Sequence, residues 1–426
     1  MTPPTSPAIL GSVKKKPEIM APAGNWTCLT AALKAGADSI YFGLEGMSMR
    51  SDASNFPVSA MPRLVKQCHA SGARAYLALN TIIYEQELKK LHRILQTAAK
   101  AGVDAVIASD LAVIQKATQI GLPVFLSTQM SLSNSESVAF FAKTFGITRF
   151  VLARECTLEQ IRAIRRKLTR TAGIGKIELE VFAHGAMCVS VSGRCFLSES
   201  QCGKSANRGQ CTQQCRREYQ LVDDEGRRSF RIGQNYLLSP EDLCTLPFLD
   251  QLIDAGVACL KIEGRARTAE YVSTVTSAYR QTVDFYCGKT KFTREEFESF
   301  KADRMKELDT VYHRGLSSGF FLGKPLDQWA NTSGSRAKQT KKAVGQVMNY
   351  FRKAGAAEIW VRNTEFATGD ELMIQGPTTG VLKFKVETIQ VDHSPLPTAK
   401  RGQRVAVGVP APVRSNDRVY LVTAKA

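Results

Sequence analysis

From about residue 17, short apolar runs alternate with longer amphipathic stretches. Eight runs are rich in β-forming residues: "PEIMAPAG", "ADSIYFGL", "RAYLALNT", "VDAVIASD", "PVFLSTQ", "RFVLARE", "IELEVFAHG" and "ACLKIEGR". Stretches with helical spacing, such as "QELKKLHRILQTAAKAG", lie between most of them, and several end in glycine, which is favoured just after a helix. This alternation predicts an α/β fold with parallel strands and crossover helices.

Eight strand–helix repeats predict a (β/α)8, TIM-like barrel over residues 17–323. An open doubly wound sheet is the alternative, but no G-x-G-x-x-G follows the first strand. A cysteine-rich insertion interrupts the rhythm after strand seven, at about residues 185–236. Residues 1–16 are predicted to be a disordered leader. A basic linker at 324–342 leads to short strands that predict a small, closed, all-β barrel at 343–426.

Polar side chains follow nearly every predicted strand, and Asp110 and Glu155 are two of them. Functional groups of this fold lie where the strands end, so the pattern predicts a polar pocket at one mouth of the barrel. The alternative is that these polar residues only cap helices or form turns. His184 is a candidate acid or base, or only a brace for the next loop. The candidate catalytic residues are Asn80, Gln129, His184, Lys261, Glu263 and Arg265.

The chain carries 57 Lys and Arg against 39 Asp and Glu, a formal net charge of +18. Such an excess favours a polyanionic partner, RNA first of all, although a basic surface without a specific role is the alternative. No apolar run approaches the ~20 residues that span a bilayer, which predicts no membrane partner. The N-terminus does not resemble a signal peptide, so the expected compartment is the cytoplasm.

Five of the eleven cysteines lie between His184 and Tyr219, among polar residues and glycines. In a reducing compartment such a cluster more often binds metal than forms disulfides. Only Cys211 and Cys215 have the close spacing of a zinc knuckle, whereas an iron–sulfur cluster accepts looser spacing. The residues therefore favour iron–sulfur over zinc, and unrelated buried cysteines are a third reading.

Several motifs resemble the peptidase U32 family of collagenase-like peptidases. They are "EVFAHGAMCVSVSGRCFLS", "APAGN", "GADSIYFGL", "CLKIEGRARTAEYV" and "HRGLSSGFFLG". The resemblance covers roughly residues 17–323, and the C-terminal part is similar to an appendage of some members. It implies a 4Fe–4S cluster on Cys188, Cys195, Cys211 and Cys215. Cys202 and Cys244 match no ligand position and are expected to be bystanders.

The resemblance also implies oxygen-independent hydroxylation. The C-terminal barrel is similar to that of members that form 5-hydroxyuridine at the tRNA wobble position, so the resemblance implies this reaction, with prephenate as the implied donor. Together with the charge, the barrel favours RNA over a quinone. Lys261 and Arg265 are expected grips for this carboxylated molecule, although a salt-bridge ladder through Glu263 is an equal alternative. An iron–sulfur assembly or redox partner is also implied. The other activities are hydroxylation of an rRNA cytidine, hydroxylation of the ubiquinone ring, and peptide hydrolysis. The remaining alternative is a non-catalytic RNA-binding protein in which zinc stabilises the cysteine-rich insertion.

Overall fold

The computed structural model describes residues 14–50, 54–222, 224–227, 229–231, 238–323, 328–332 and 334–425. Residues 1–13 of the predicted leader lie outside this part of the chain. The last leader residues lie against the barrel, where Lys14 Nζ contacts Asp254 Oδ1 at 2.5 Å and the Tyr286 hydroxyl at 2.7 Å. Within the described residues, no helix is long and apolar enough to span a membrane.

All eight predicted strands form one parallel sheet. The sheet closes into a barrel because β8 pairs with both β1 and β7. The predicted (β/α)8 architecture is therefore confirmed. The strands are β1 Glu18–Ala23, β2 Ser39–Gly43, β3 Arg74–Leu79, β4 Ala105–Ala108, β5 Val124–Leu126, β6 Arg149–Val151, β7 Glu178–Gly185 and β8 Cys259–Ile262.

Helices surround the barrel and pack one apolar face against it. In α3, Leu91, Ile94, Leu95 and Ala98 recur at helical spacing and are buried. The helices are α1 Trp26–Lys34, α2 Met61–Ala70, α3 Leu88–Ala101, α4 Leu111–Gln119, α5 Ser135–Phe145, α6 Leu158–Leu168, α7 Leu197–Cys202, α8 Leu249–Asp254, α9 Ala269–Gly288 and α10 Arg294–Leu308. Of these, α7 lies in the insertion.

A buried ion-pair network fills the end of the barrel where the strands begin. Arg149, the first residue of β6, is 2% exposed. Its Nη2 lies 2.8 Å from Glu18 of β1 and 2.7 Å from Glu178 of β7. Because this end is occupied, any cavity connected to solvent must lie at the opposite end, where the strands finish.

The described residues of the insertion after β7 form α7, three short 3-10 turns and a hairpin of strands Gln220–Val222 and Ser229–Arg231. The segment "LLSPEDLCTLPFLDQLIDAG" contains a short strand, Asp242–Cys244, ahead of its helix. This strand pairs antiparallel with the end of β7, because Leu243 and Cys244 lie opposite Gly185 and His184. Only the second half of the segment becomes helical, as α8.

The C-terminal domain is all-β, as predicted, and its first strand begins inside the predicted linker. The strands are β9 Gln339–Phe351, β10 Ala356–Val361, β11 Phe366–Ala367, β12 Glu371–Gly376, β13 Gly380–Lys385, β14 Ile389–Val391, β15 Ser394–Leu396, β16 Thr398–Ala399, β17 Arg404–Gly408 and β18 Arg418–Ala424. Eight form one antiparallel sheet in the order β13-β12-β18-β9-β10-β17-β14-β15, and β11 pairs with β16. No pairing joins the end strands β13 and β15 across the described residues.

The C-terminal domain is docked on the outside of the barrel, against α1 and α9. Thr30 Oγ1 donates to the Pro377 carbonyl at 2.6 Å, and Lys34 Nζ donates to the Thr379 carbonyl at 2.9 Å. Glu270 of α9 pairs with Lys341 at 2.6 Å. These contacts fix the small domain beside the barrel.

Candidate functional site

A cavity at the carboxyl ends of the barrel strands collects most of the residues predicted from the sequence. Five of the six candidate catalytic residues line it, and so do all four candidate cluster ligands. These residues are Asn80, Gln129, Lys261, Glu263, Arg265, Cys188, Cys195, Cys211 and Cys215. The barrel supplies the first five and the insertion covers them with the cysteines.

Local backbone geometry carries the cysteines to the cavity. Gly185 ends β7 with a φ of +110°, a conformation open to glycine alone, and the chain turns there into the insertion. Asn207 then fixes Cys195. Its Oδ1 accepts from the Cys195 backbone N–H at 3.2 Å, and its Nδ2 donates to the Cys195 carbonyl at 3.3 Å. Gln213, with a φ of +57°, makes the turn between Cys211 and Cys215.

The four thiols are free and interact electrostatically. Burial raises the pKa of Cys215, and Cys188, Cys211 and Cys195 raise it further, against the opposing effect of Arg216. Four thiols that share one cavity wall can hold a metal group once they are deprotonated.

Thiolate donors are common to two kinds of metal site. Within the described part of the chain, no three His, Cys, Asp or Glu side chains converge as ligands of a single ion. A structural zinc ion takes its thiolates about 2.3 Å from one point, whereas a 4Fe–4S cluster takes each of its four thiolates on a different iron. The four cysteines supply the type and number of donors that either group uses.

The two expected bystander cysteines do not line the cavity. Cys202, at the end of α7, is exposed, and Gln214 Nε2 donates to its Sγ at 2.9 Å. Cys244 is buried beside Tyr279, and burial raises the pKa of its thiol to about 11.

The wall of the cavity is strongly cationic. Of the described residues that line it, seven are basic and Glu263 alone is acidic. Carboxylates nearby pair with four of the seven: Arg50 with Glu263, Lys261 with Glu180, and both Arg267 and Arg314 with Asp242.

Three arginines on the wall have no carboxylate partner within the described residues: Arg154, Arg216 and Arg265. Arg154 donates to the Ala186 carbonyl at 3.0 Å and lies over the Phe182 ring. Arg265 donates to Ser48 Oγ at 2.8 Å. Burial lowers the pKa of all three guanidinium groups, that of Arg265 to about 10. They still carry their charge at neutral pH, so the cavity favours an anion.

Glu263 is held ionised. Burial by itself would raise the pKa of this carboxyl, but Arg50, Arg267 and Arg154 outweigh it and lower the pKa to about 2. Arg50 Nη2 lies 3.0 Å from its Oε1. A carboxylate with so low a pKa is a poor proton acceptor, and its position indicates an organising role among the arginines.

Lys261 and Arg265, the two residues expected to bind the carboxylated donor, have different partners. Lys261 Nζ lies 3.0 Å from Glu180 Oε1, and both side chains are buried. Lys261 is therefore part of an ion pair, as the salt-bridge reading expects. Arg265 pairs with no carboxylate among the described side chains, so its positive charge remains available to bind an anionic ligand. Gly43 makes room for it, because a Cβ at that position would meet Arg265 Nη1.

His184 lies behind the cavity and not on its wall. The side chain is 2% exposed, and its Nδ1 lies 3.4 Å from the Tyr279 hydroxyl. Burial lowers its pKa to about 3, and His313 and Arg267 act in the same direction. The imidazole is therefore neutral near pH 7, and its position favours the bracing role over proton transfer.

A second, outer chamber adjoins the cysteine-lined cavity. Met49, Asn80 and Gln129 line both spaces and form the boundary between them. Asn80 Nδ2 donates to Gln129 Oε1 at 3.2 Å across this boundary. Asn80 and Gln129, which were predicted from their positions after strands, therefore lie at the boundary between the two chambers.

Comparison with known proteins identifies the family. The model for Peptidase family U32 matches residues 24–331. A collagenase of Porphyromonas gingivalis is 40% identical over 95% of this chain and 97% of its own length. The chain belongs to peptidase family U32.

Relatives of this U32 protein carry different names. The tRNA hydroxylation protein P1 of Bacillus subtilis is 34% identical over 88% of this chain and 87% of its own. The 23S rRNA 5-hydroxycytidine C2501 synthase of Escherichia coli is 38% identical over 88% of this chain and 54% of its own. Family membership therefore indicates an enzyme.

Sequence reasoning missed several arginines of the U32 cavity. Arg154 directly follows β6, so the rule that pointed to Glu155 could have found it. Glu155 instead accepts a hydrogen bond from the Ser192 backbone N–H at 3.0 Å and supports the insertion. Arg50 and Arg314 lie in loops far from β8 in sequence. No local pattern marked Arg50, and Arg314 lies in the motif "HRGLSSGFFLG" without having been assigned a role.

Proposed function

We propose that this protein is an iron–sulfur enzyme of the cytoplasm that hydroxylates RNA without molecular oxygen. The specific reaction we propose is 5-hydroxyuridine formation at the tRNA wobble position, with prephenate as the donor. One observation carries the proposal: a single cavity at the barrel mouth is lined by four free thiols and by three arginines that pair with no carboxylate among the described residues. Relatives named as tRNA hydroxylation proteins and as an rRNA hydroxycytidine synthase support it.

Cys188, Cys195, Cys211 and Cys215 would hold the 4Fe–4S cluster. When bound, the cluster would supply one-electron redox chemistry. Arg216 and Arg154 lie close enough to these thiols to affect their charge. Their positive charges would offset the negative charge of four thiolates. Such a cluster requires an assembly partner or a redox partner in the cell.

The arginines would bind the donor. A dicarboxylate such as prephenate needs two cationic partners, and Arg154, Arg216 and Arg265 offer three in a buried setting. Charge-assisted hydrogen bonds from guanidinium to carboxylate are among the strongest in proteins. Glu263 keeps Arg50 in place, and Asn80 and Gln129 would orient whatever lies at the boundary between the chambers.

The C-terminal sheet supports RNA as the macromolecular substrate. Arg418, Gln346, Trp360 and Arg404 lie directly opposite one another on neighbouring strands and therefore share one face. The Arg362 guanidinium stacks over the Trp360 ring at 4.5 Å. Arginines around an aromatic ring are typical of surfaces that contact phosphates and stack a base.

Peptide hydrolysis is the second candidate, and the 40% identity to a collagenase favours it. The cavity gives it little support. Among the described residues on the wall there is no histidine, and the one carboxylate, Glu263, has a pKa of about 2. Neither a serine–histidine pair nor a carboxylate suited to act as a general base is available there.

Nucleoside mass spectrometry of a deletion strain tests the proposal. We expect the strain to lose 5-hydroxyuridine from tRNA under both aerobic and anaerobic growth. The wild-type gene should restore it, and the Cys188→Ser variant should not. Loss of a hydroxylated rRNA cytidine instead would correct the target. An unchanged nucleoside profile, together with cleavage of a collagen peptide by the purified protein, would replace the proposal with the hydrolase.

A further inference from the structure

The outer chamber differs in chemistry from the cysteine-lined cavity. Its described lining has one basic and one acidic residue, Arg194 and Asp110. Asp110 already caps α4, because its carboxylate accepts from the backbone N–H groups of Ala112 at 2.9 Å and Ile83 at 3.0 Å. The inner cavity, by contrast, has an excess of arginine. An anion is therefore favoured inside, and a neutral polar ligand is favoured in the outer chamber.

Exposed apolar side chains surround this outer chamber. Phe196 is 73% exposed and Ile82 is 49% exposed, and both line the chamber. Tyr84, two residues beyond Ile82, is 50% exposed, and the Arg208 guanidinium lies 4.7 Å above its ring. Large apolar groups clustered at a cavity mouth indicate a binding site. Flat rings such as that of Phe196 suit a planar ligand.

Polar groups supply the second half of the site. Thr81 lines the chamber, is 1% exposed, and its hydroxyl has no hydrogen-bond partner among the described residues. The amides of Asn80 and Gln129 stand at the inner end. Amide groups present a donor beside an acceptor, the arrangement that the edges of nucleobases recognise.

We propose that the outer chamber binds a single unstacked pyrimidine base of RNA, which stacks on Phe196 with its edge toward Asn80 and Gln129. This inference rests on the proposed function and deepens it, since it divides the site into two. The donor takes the cationic inner cavity and the base takes the outer chamber. Enzymes that modify a base extrude it into such a pocket, since the reacting atom is inaccessible within a stack.

Photocrosslinking tests the placement of the base. The probe is an RNA hairpin with 5-iodouridine in its loop, mixed with the anaerobically purified full-length protein. We expect irradiation to link the iodinated base to Phe196 or Tyr84, as located by mass spectrometry of the digested complex. Links confined to the C-terminal domain would overturn the inference.

Binding measurements on matched variants test whether the base stacks on Phe196. Fluorescence anisotropy of the same hairpin should show a roughly 5- to 100-fold weaker Kd for Phe196→Leu, the range that loss of one base stack predicts. Phe196→Trp should keep the affinity. Phe140→Leu is the control, because Phe140 is equally apolar and 59% exposed but lies on α5. Ile82→Glu should also weaken binding, and it changes no residue next to a cysteine.

The outcomes separate the two proposals. If wild-type protein does not bind the hairpin, both fail. If it binds and neither Phe196→Leu nor Ile82→Glu changes the Kd, the chamber is not the base site, and RNA hydroxylation remains. Iron content and visible absorbance are measured for each variant, so that a weaker Kd counts only with the cysteine site intact. Should Phe196→Leu lose its iron, Ile82→Glu alone decides.

Discussion

Among single residues, the cysteines have the most specific environments. Four of them line a cavity whose charged wall residues are mostly basic. Cys202 is only a few residues away in sequence and is exposed. Five similar thiols in one insertion therefore divide into four that share a site and one that does not, and the division can be tested directly.

Serine replacements should reproduce this division. Cys188→Ser, Cys195→Ser, Cys211→Ser and Cys215→Ser should each lose most of the iron and visible absorbance of the anaerobically purified protein. A cluster needs all four thiolates for stable attachment. Cys202→Ser should keep both signals and serves as the matched control. Equal iron content in all five variants would contradict the ligand assignment.

His184 should make the protein acid-sensitive. Its pKa is lowered to about 3 in the folded chain, against about 6.5 when unfolded. Because only the unfolded state takes up a proton between these values, stability falls as the pH drops below about 6.5. Between pH 7 and pH 5, His184→Gln should lose about 2 kcal/mol less of its free energy of unfolding than the wild type. Urea titrations at the two pH values measure this, and equal losses would contradict it.

Glu263 should matter more for stability than its single charge suggests. Glu263→Gln leaves Arg50 and its neighbours, which are partly buried, without their buried carboxylate, which we expect to cost about 3–5 kcal/mol. The control is Glu225→Gln, which breaks the exposed pair with Arg227 and should cost at most ~1 kcal/mol. Chemical unfolding at pH 7 compares the two. The Glu263 contribution should disappear as the pH falls from about 4.5 toward 2.

At the level of elements, the junction between β7 and the insertion determines where the cysteines lie. Gly185 ends the strand, and two segments pack beside it: Asp242–Cys244 pairs with the strand end, and β8 continues into Glu263. A Cβ on Gly185 would lie 2.6 Å from the Glu263 carbonyl oxygen. The turn and the cavity wall are therefore coupled through one glycine.

Gly185→Ala should disturb the site, and Gly146→Ala should not. Both glycines have a positive φ, but nothing lies within 4 Å of a Cβ added to Gly146 at the end of α5. We expect Gly146→Ala to cost about 1 kcal/mol and Gly185→Ala at least twice that, because a steric clash is added to the strain. Thermal unfolding and iron content of both variants check this. Normal iron content in Gly185→Ala would argue against the coupling.

For the whole molecule, the docked C-terminal domain adds a second basic surface to the barrel. The small domain contacts α1 and α9 through hydrogen bonds and the Lys341–Glu270 ion pair. Its arginine-bearing sheet face therefore holds a constant position relative to the barrel mouth. Under the proposed function, an RNA that contacts both surfaces would bind more tightly than one that contacts either surface alone.

Charge reversal on this face should weaken RNA binding and its salt dependence. The variant combines Arg362→Glu, Arg404→Glu and Arg418→Glu, and binding of bulk tRNA is measured at several salt concentrations. Loss of three phosphate contacts should reduce the slope of log K against log salt by about 2. The control reverses Arg93, Lys100 and Arg170, exposed residues of the barrel exterior. Equal effects of both triple variants would show that only net charge matters.

Local patterns predicted most of the architecture. Each barrel strand and its following helix carry their own periodicity, and each is short enough to be visible in one window of sequence. The eight strands, the all-β character of the C-terminal part and the place of the insertion were therefore readable. The strand Asp242–Cys244 was not, because its pairing with β7 depends on a partner about sixty residues earlier in the chain.

The same distinction applies to the site. Residue type and position at strand ends pointed to Asn80, Gln129 and Arg265, and the cysteines were visible as a cluster. The neutral state of His184, the pairing of Lys261 with Glu180 and the meeting of Arg50 with Glu263 required the folded chain. Burial and Coulomb interactions depend on distances between atoms, and residues hundreds of positions apart acquire those distances only when the barrel closes.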